Sequence, residues 1–127
     1  MLTGKKLDDL VGRGWEMDSV EQDPAGKDSS DPGAKMDAGK VMAGLLIDFG
    51  PALMAVAEVS TFGVKKYSRG GWMQVTDAEQ RYGDAMWRHL LKEGREDIDP
   101  DSGLLHAAHS AWNALARLCF ILERQGR

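Results

Sequence analysis

The sequence predicts an all-α protein: a small helical bundle of three main helices preceded by an irregular N-terminal arm. Three observations carry that expectation. Apolar residues recur at three- and four-residue spacing through stretches near 52–62, 76–93 and 102–124, the period of a helix that buries one side. Turn chemistry separates those stretches, in Ser68-Arg-Gly-Gly71 and in Asp99-Pro-Asp-Ser-Gly103. No run shows the polar–apolar alternation of a half-buried strand.

Residues 1–32 form the predicted arm. Gly, Asp and Ser are frequent there, and Asp28-Ser-Ser-Asp-Pro-Gly33 is loop chemistry. Leu7, Leu10, Val11 and Trp15 offer one small apolar contact, with Trp15 as the anchor; this is too little apolar surface to offset ordering entropy alone. Residues 33–127 make the helical domain. It opens on Gly33-Ala-Lys35-Met-Asp37-Ala-Gly39-Lys40, where glycines let backbone amides approach an anion and lysines add charge. The spacing is not that of a Walker A loop. Residues 41–49 are apolar and short, and read as a buried helical turn.

Pro51 suits a first helical position. The first helix then runs to about Phe62, with Gly63 as a kink or cap and Lys65-Lys66-Tyr67 at its end. Trp72, in a glycine loop, is a plug on the core or a stacking surface. Thr76-Asp-Ala-Glu79 matches a capping box, and Gly94 stops the second helix. At 100° per residue, Arg81, Asp84 and Arg88 share a stripe, and His89 falls at the edge of the apolar side. The third helix starts near Ser102, capped by Ser102 or Asp101. His106, His109 and Asn113 share one of its faces. Beyond Ala114 it is apolar nearly all round, as in a helix central to a fold or buried against another subunit.

The bulk numbers exclude several classes. A chain of 127 residues is one domain and needs no disulfide or metal staple. Cys119 is the single cysteine, so no internal disulfide can form; it reads as a buried structural thiol of a reducing cytosol. The start has no apolar core of a signal peptide. No stretch approaches the ~18 apolar residues of a membrane span, so a soluble intracellular protein without a membrane partner is expected. The net charge is −4, and residues 1–34 hold four basic and eight acidic side chains. The remainder is neutral overall, which argues against binding duplex nucleic acid.

The polar residues support three chemical readings. In the first, carboxylates and imidazoles hold a divalent ion that activates water; Glu58, Asp84, Glu96, Asp97, Asp99, His89, His106 and His109 are the available ligands. Asp97, Asp99 and Asp101 alternate like half a calcium loop, but Gly103 falls one place late and Ala108 stands where the bidentate glutamate belongs. In the second, lysines and arginines grip the phosphates of a nucleotide, Asn113 or an aspartate reads its base or ribose, and Tyr67 or Trp72 stacks on the base. In the third, the histidines and Asn113 only satisfy backbone groups across a helix interface.

Five motifs occur in a fixed order: Gly33-Ala-Lys-Met-Asp-Ala-Gly-Lys40, then Phe62-Gly-Val-Lys-Lys-Tyr67 with Trp72, then Arg81-Tyr-Gly-Asp-Ala with Arg88-His89. Glu96-Asp with Asp99-Pro-Asp-Ser-Gly103 follows, and His106-Ala-Ala-His109 with Trp112-Asn113 closes the series. In these the chain resembles a phage family, the dATP/dGTP diphosphohydrolase N-terminal domain, over residues 33–122. The resemblance implies hydrolysis of purine deoxynucleoside triphosphates to monophosphate and pyrophosphate, in the manner of the all-α nucleotide pyrophosphohydrolases, with Mg²⁺ or a similar ion such as Mn²⁺. It places the protein in the cytoplasm of an infected host cell.

On that reading Lys35, Asp37, Lys40, Lys65, Lys66, Tyr67, Trp72, Arg81, Arg88 and Asn113 hold the nucleotide. His89, His106, His109 and Asp84 do the chemistry, and Glu58, Asp84, Asp97 and Asp99 hold the metal. A homo-oligomer is expected from the apolar third helix. Two other functions fit the same residues: a non-catalytic protein that sequesters a nucleotide immune signal of the host, and a structural or interaction protein whose histidines are satisfied in helix packing.

Overall fold

The computed structural model describes residues 21–127, so the expected role of Trp15 lies outside the described residues. Three α-helices follow one another: α1 (Gly50–Lys66), α2 (Ala78–Glu93) and α3 (His106–Arg124). Short 3-10 helices cover Ala43–Phe49 and Gly71–Gln74. Among the described residues the only strand-like feature is one antiparallel bridge, Ile98 to Leu105. The all-α expectation holds.

The chain divides into two compact units, parting after Leu46. In the first, the described residues are turns held by one carboxylate. Asp23 accepts the backbone N–H groups of Ala25 (2.7 Å), Lys27 (3.3 Å) and Lys35 (2.7 Å). The Lys35 amide leads these contacts in holding the Asp23 pKa below its ordinary value. Lys40 pairs with Glu21 at 2.9 Å. The lysine–glycine run 33–40 therefore belongs to this turn-rich unit.

The second unit, Ile47–Arg127, holds the three helices. Its central packing is α2 against α3, and α1 lies on α3. The apolar sides of α2 and α3 meet at Ala78, Ala108, Ala116 and Phe120, all buried. Small residues let the two axes approach, and an aromatic cluster fills the remaining space. Trp72 meets Tyr82, Trp112 and Phe120 edge-on at centroid distances of 6.5, 5.8 and 6.1 Å. The Tyr82 hydroxyl donates to the Trp72 carbonyl at 2.9 Å. Trp72 is thus the plug of the two roles its sequence allowed. Trp112 donates its indole N–H to Ser60 on α1 at 2.9 Å, which ties the third helix to the first.

Several local expectations fail for physical reasons. The 41–49 run is exposed throughout, not buried. Gly63 neither kinks nor ends α1, and the helix continues to Lys66 with the Gly63 carbonyl accepting the Tyr67 N–H. Because Pro51 sits at the first turn, where its missing N–H costs nothing, the 3-10 helix runs straight into α1. Ala43–Lys66 therefore forms one 24-residue helical run, long and apolar enough by length and composition to cross a membrane. The sequence looked too short for this because Asp48 and Gly50-Pro51 split it into two pieces.

The capping box does not form. Asp77 caps α2 in the left-handed region (φ 51°) with no side-chain cap bond, and Glu79 pairs instead with Arg124 at 2.9 Å. Helix α3 starts at His106, not Ser102. Its apolar far end is not buried all round either: Leu115, Leu118 and Cys119 are exposed, because only the Ala116–Phe120 side meets α2. The expectation of a buried Cys119 is wrong for that reason.

Truncating Phe120 to alanine should cost about 3–5 kcal/mol, the range for a large buried aromatic. Leu91→Ala, on an exposed position, should stay within about 0.5 kcal/mol. Urea unfolding of both variants checks the assignment of the core.

Candidate functional site

The turn between α2 and α3 builds a polar corner. The backbone folds back on itself: the Asp99 N–H donates to the Leu104 carbonyl and the His106 N–H to the Asp97 carbonyl, both at 2.8 Å. Gly103 permits this with φ 73°, a conformation that a Cβ disfavours. The fold-back carries Asp99 and Ser102 onto the first turn of α3. There His106, His109 and Asn113 form the buried inner stripe, and His89 comes across from α2.

The three imidazoles are in contact. The His89 and His106 Nδ1 atoms face each other at 2.8 Å. The His89 and His109 rings stack at 4.5 Å between centroids and 7° between planes. On the far side of His106, which is 0% exposed, Nε2 lies 3.3 Å from Glu96 Oε1. A carboxylate only accepts, so His106 Nε2 carries a proton toward Glu96. With the rings neutral, the His106 Nδ1 lone pair accepts from His89 Nδ1–H, and His89 Nε2 is left as a bare base.

His109 is held differently. Its Nε2 is 2.7 Å from the Ser102 hydroxyl, which donates to Asp99 Oδ2 at 3.1 Å. That makes His109 Nε2–H a donor to Ser102, 3.5 Å from Asp99 itself. The Leu104 N–H also donates to Ser102 at 3.1 Å. Ser102, expected as a helix cap, instead links His109 to Asp99.

Burial disfavours charge on two of the imidazoles. Burial, reinforced by His109 and His106, pushes the His89 pKa down to about 4. Burial also lowers His109, against the pull of Asp99. For Asp99 burial works upward, but the Ser102 hydroxyl, the Asp101 amide and the imidazoles outweigh it and leave the carboxyl below its usual value. Lys66, at the end of α1, reaches Asp101 at 2.9 Å, and that bond raises its pKa. It also lies 5.6 Å from the Phe62 ring, which meets His109 edge-on. Lys66 thus stands at the edge of the corner, bonded to Asp101.

The structure separates residues that the sequence reading grouped. His89, His106, His109, Asp99 and Lys66 come together. Asn113 is buried beside them, and its amide nitrogen donates to the His109 carbonyl at 2.8 Å. Asp84 lines an open groove with Glu79, Trp87, Arg117 and Arg124, nearer the other end of the hairpin. Arg81 donates to the Thr76 carbonyl at 3.2 Å. Arg88, Lys65, Tyr67 and Glu58 are exposed on the helices. Lys35, Asp37 and Lys40 belong to the other unit.

The proposed metal ligands do not converge. Among the described residues, no three His, Cys, Asp or Glu side chains could hold a metal ion together. The sequence does contain Glu93, Glu96 and Asp99 at successive three-residue steps, the spacing that puts carboxylates on one helical face. The helix ends at Glu93, so the step leads away from a shared face. Glu96, one of the available ligands read from the sequence, instead faces His106 across the turn. Ser102, expected only as a helix cap, is the residue whose role was missed.

Stability should fall as pH drops from about 6.5 toward 4. The unfolded chain takes up a proton near His89's ordinary value of 6.5, whereas the folded chain resists until about 4. Below that window this histidine costs nothing further. Melting temperatures of wild type and His89→Gln at pH 7.5 and 4.5 check this, and the variant should show the smaller drop.

Comparison with known proteins places these features in a family. Residues 30–127 match the family described as "dATP/dGTP diphosphohydrolase, N-terminal". A dATP/dGTP diphosphohydrolase of Salmonella phage PMBT28 is 38% identical over 81 residues. The match covers 62% of this chain but 26% of that protein, so the chain spans about a quarter of its relative's length. No solved structure matches.

Proposed function

Because the chain belongs to the dATP/dGTP diphosphohydrolase N-terminal family, we propose that it acts on purine deoxynucleoside triphosphates at the histidine corner. The observation that carries this reading is the hydrogen-bonded chain from Glu96 through His106 to His89. Such a chain orients a base and stabilises the charge it acquires. In the reaction, a water oxygen attacks the α-phosphorus as its proton passes to His89 Nε2. The bond from that phosphorus to the α–β bridging oxygen breaks, and pyrophosphate leaves with the bonding pair. The product is the deoxynucleoside monophosphate. An approaching triphosphate raises the low pKa of His89 by its negative charge, which strengthens the base when substrate is present. Lys66 supplies positive charge at the mouth of the corner.

Magnesium, which the resemblance implies, would need oxygens converging on one point. The described carboxylates do not supply them, and no step here runs through a protein-held ion. That same observation, with the chain spanning a quarter of its relative, favours a second reading: purine nucleotides are bound here without turnover.

Incubation with dATP, dGTP and ribonucleotides, with Mg²⁺ or Mn²⁺, separates the readings. Denaturation and chromatography then show what is released. Pyrophosphate and monophosphate mean hydrolysis, and intact retained nucleotide means binding. Neither outcome leaves the proposal standing if both are absent. Under hydrolysis, His89→Gln should lower kcat by about 10²–10⁴-fold, the usual contribution of a positioned base. Lys66→Ala should weaken nucleotide binding under either reading.

A further inference from the structure

Lys66 stands in the last turn of α1 and Asp101 in the turn before α3, and their side chains meet at 2.9 Å. The pair touches the histidine corner from two directions. The Lys66 ammonium is 5.6 Å from the Phe62 ring, which meets His109 edge-on at 6.3 Å. The Asp101 backbone N–H donates to Asp99 Oδ1 at 3.3 Å, and Asp99 holds His109 through Ser102. Burial is the largest influence on the His109 pKa, but Asp101 and Lys66 also act on it, in opposite directions, so both charges stand within reach of that imidazole. The fold needs this ion pair little. Its side chains are 43% and 65% exposed, and such pairs add little stability in water. The turn is held by the backbone instead, through the Asp101 N–H and the Gly103 N–H, which donates to the Asp99 carbonyl at 2.8 Å. Among the described residues the Asp101 carboxylate accepts a hydrogen bond from Lys66 alone.

We propose that Asp101 is a built-in competitor for the anionic ligand of this corner: its carboxylate holds Lys66 in the place of a phosphate group, and a ligand's phosphate must displace it to bind. This rests on the reading that nucleotide phosphates are held at Lys66. A phosphate can win the exchange because it brings more charge and more acceptor oxygens than a carboxylate, and a charged acceptor bonds an ammonium strongly. The lysine can follow, because its ammonium rides on a flexible four-carbon stem. The carboxylate still weakens the ligand in two ways. Apparent affinity falls by the fraction of molecules in which Lys66 is free. Once displaced, Asp101 stays anchored by its own backbone bond and repels the phosphate beside it. The corner thus holds anions more loosely than its lysine alone would allow. Under hydrolysis the same carboxylate recaptures Lys66 as the products leave.

Titration calorimetry on the full chain in EDTA tests this, with circular dichroism as the folding control. The probes are dATP, inorganic tripolyphosphate and uncharged deoxyadenosine. Asp101→Asn should tighten dATP and tripolyphosphate by about 3- to 5-fold, the equilibrium weight of one exposed ion pair. It should leave deoxyadenosine as in the wild type. In a Lys66→Met background the same substitution should gain less than about 2-fold, because the two residues act as a unit. An Asp101→Asn chain that binds both anions as the wild type does overturns the proposal and leaves nucleotide binding standing. A full gain that persists without Lys66 also overturns it, since the effect is then general repulsion. If neither chain binds dATP but Asp101→Asn tightens tripolyphosphate, the competition at Lys66 stands and the nucleotide reading falls. If neither chain binds either anion, both fall.

Discussion

A fully buried imidazole organises the helical unit. His106 is the first residue of α3, and its backbone N–H is spent on the Asp97 carbonyl. Its ring is enclosed between Glu96 on one nitrogen and His89 on the other. The turn, the start of α3 and the C-terminal half of α2 thus share one side chain. Burying a polar ring is costly unless both nitrogens find partners. Here both do, and meeting that condition fixes the position of every other residue in the corner. His109 falls one helical turn further on, against Ser102 and Asp99, because the fold-back at Gly103 has already set where those two residues stand.

The corner and the aromatic cluster divide the hairpin between them. Toward the middle, Trp72, Tyr82, Trp112 and Phe120 supply apolar burial without chemistry. Toward the turn the interior becomes polar, with His106, His109 and Asp99 buried together. This gradient explains the depressed histidine pKa values. His89 and His109 lie deep enough to resist protonation, and the neighbouring imidazoles add to the burial while Asp99 only partly offsets it. The same arrangement leaves the second nitrogen of His89 with its lone pair, on the neutral tautomer.

Membership of the dATP/dGTP diphosphohydrolase N-terminal family, seen in the motifs, is matched by residues 30–127. Much of the fold was legible for a physical reason: helical periodicity records which side chains face inward. The His106–His109–Asn113 stripe was readable as one face, and it is the buried face. His89 at the edge of its apolar side is the residue that crosses to meet it. Local start and stop signals were less reliable. Thr76–Glu79 has the composition of a capping box, but Glu79 finds Arg124 forty-five residues away, a competitor that no local pattern records. Cys119 was read as buried because its neighbours are apolar. Exposure depends on whether another helix covers that side, and Cys119 is left exposed.

The sequence by itself determined the helices, the inner stripe of α3 and the turn chemistry at Gly103, because these follow from backbone preference and from spacing along one element. Only the tertiary structure decided which polar residues meet. Asp84 shares α2 with His89 yet lines a different groove. Ser102 and Glu96, which share a motif in the turn, stand against different histidines. Their convergence is set by the fold-back and by the packing of α2 on α3. Those are relations between distant segments, and sequence spacing does not encode them.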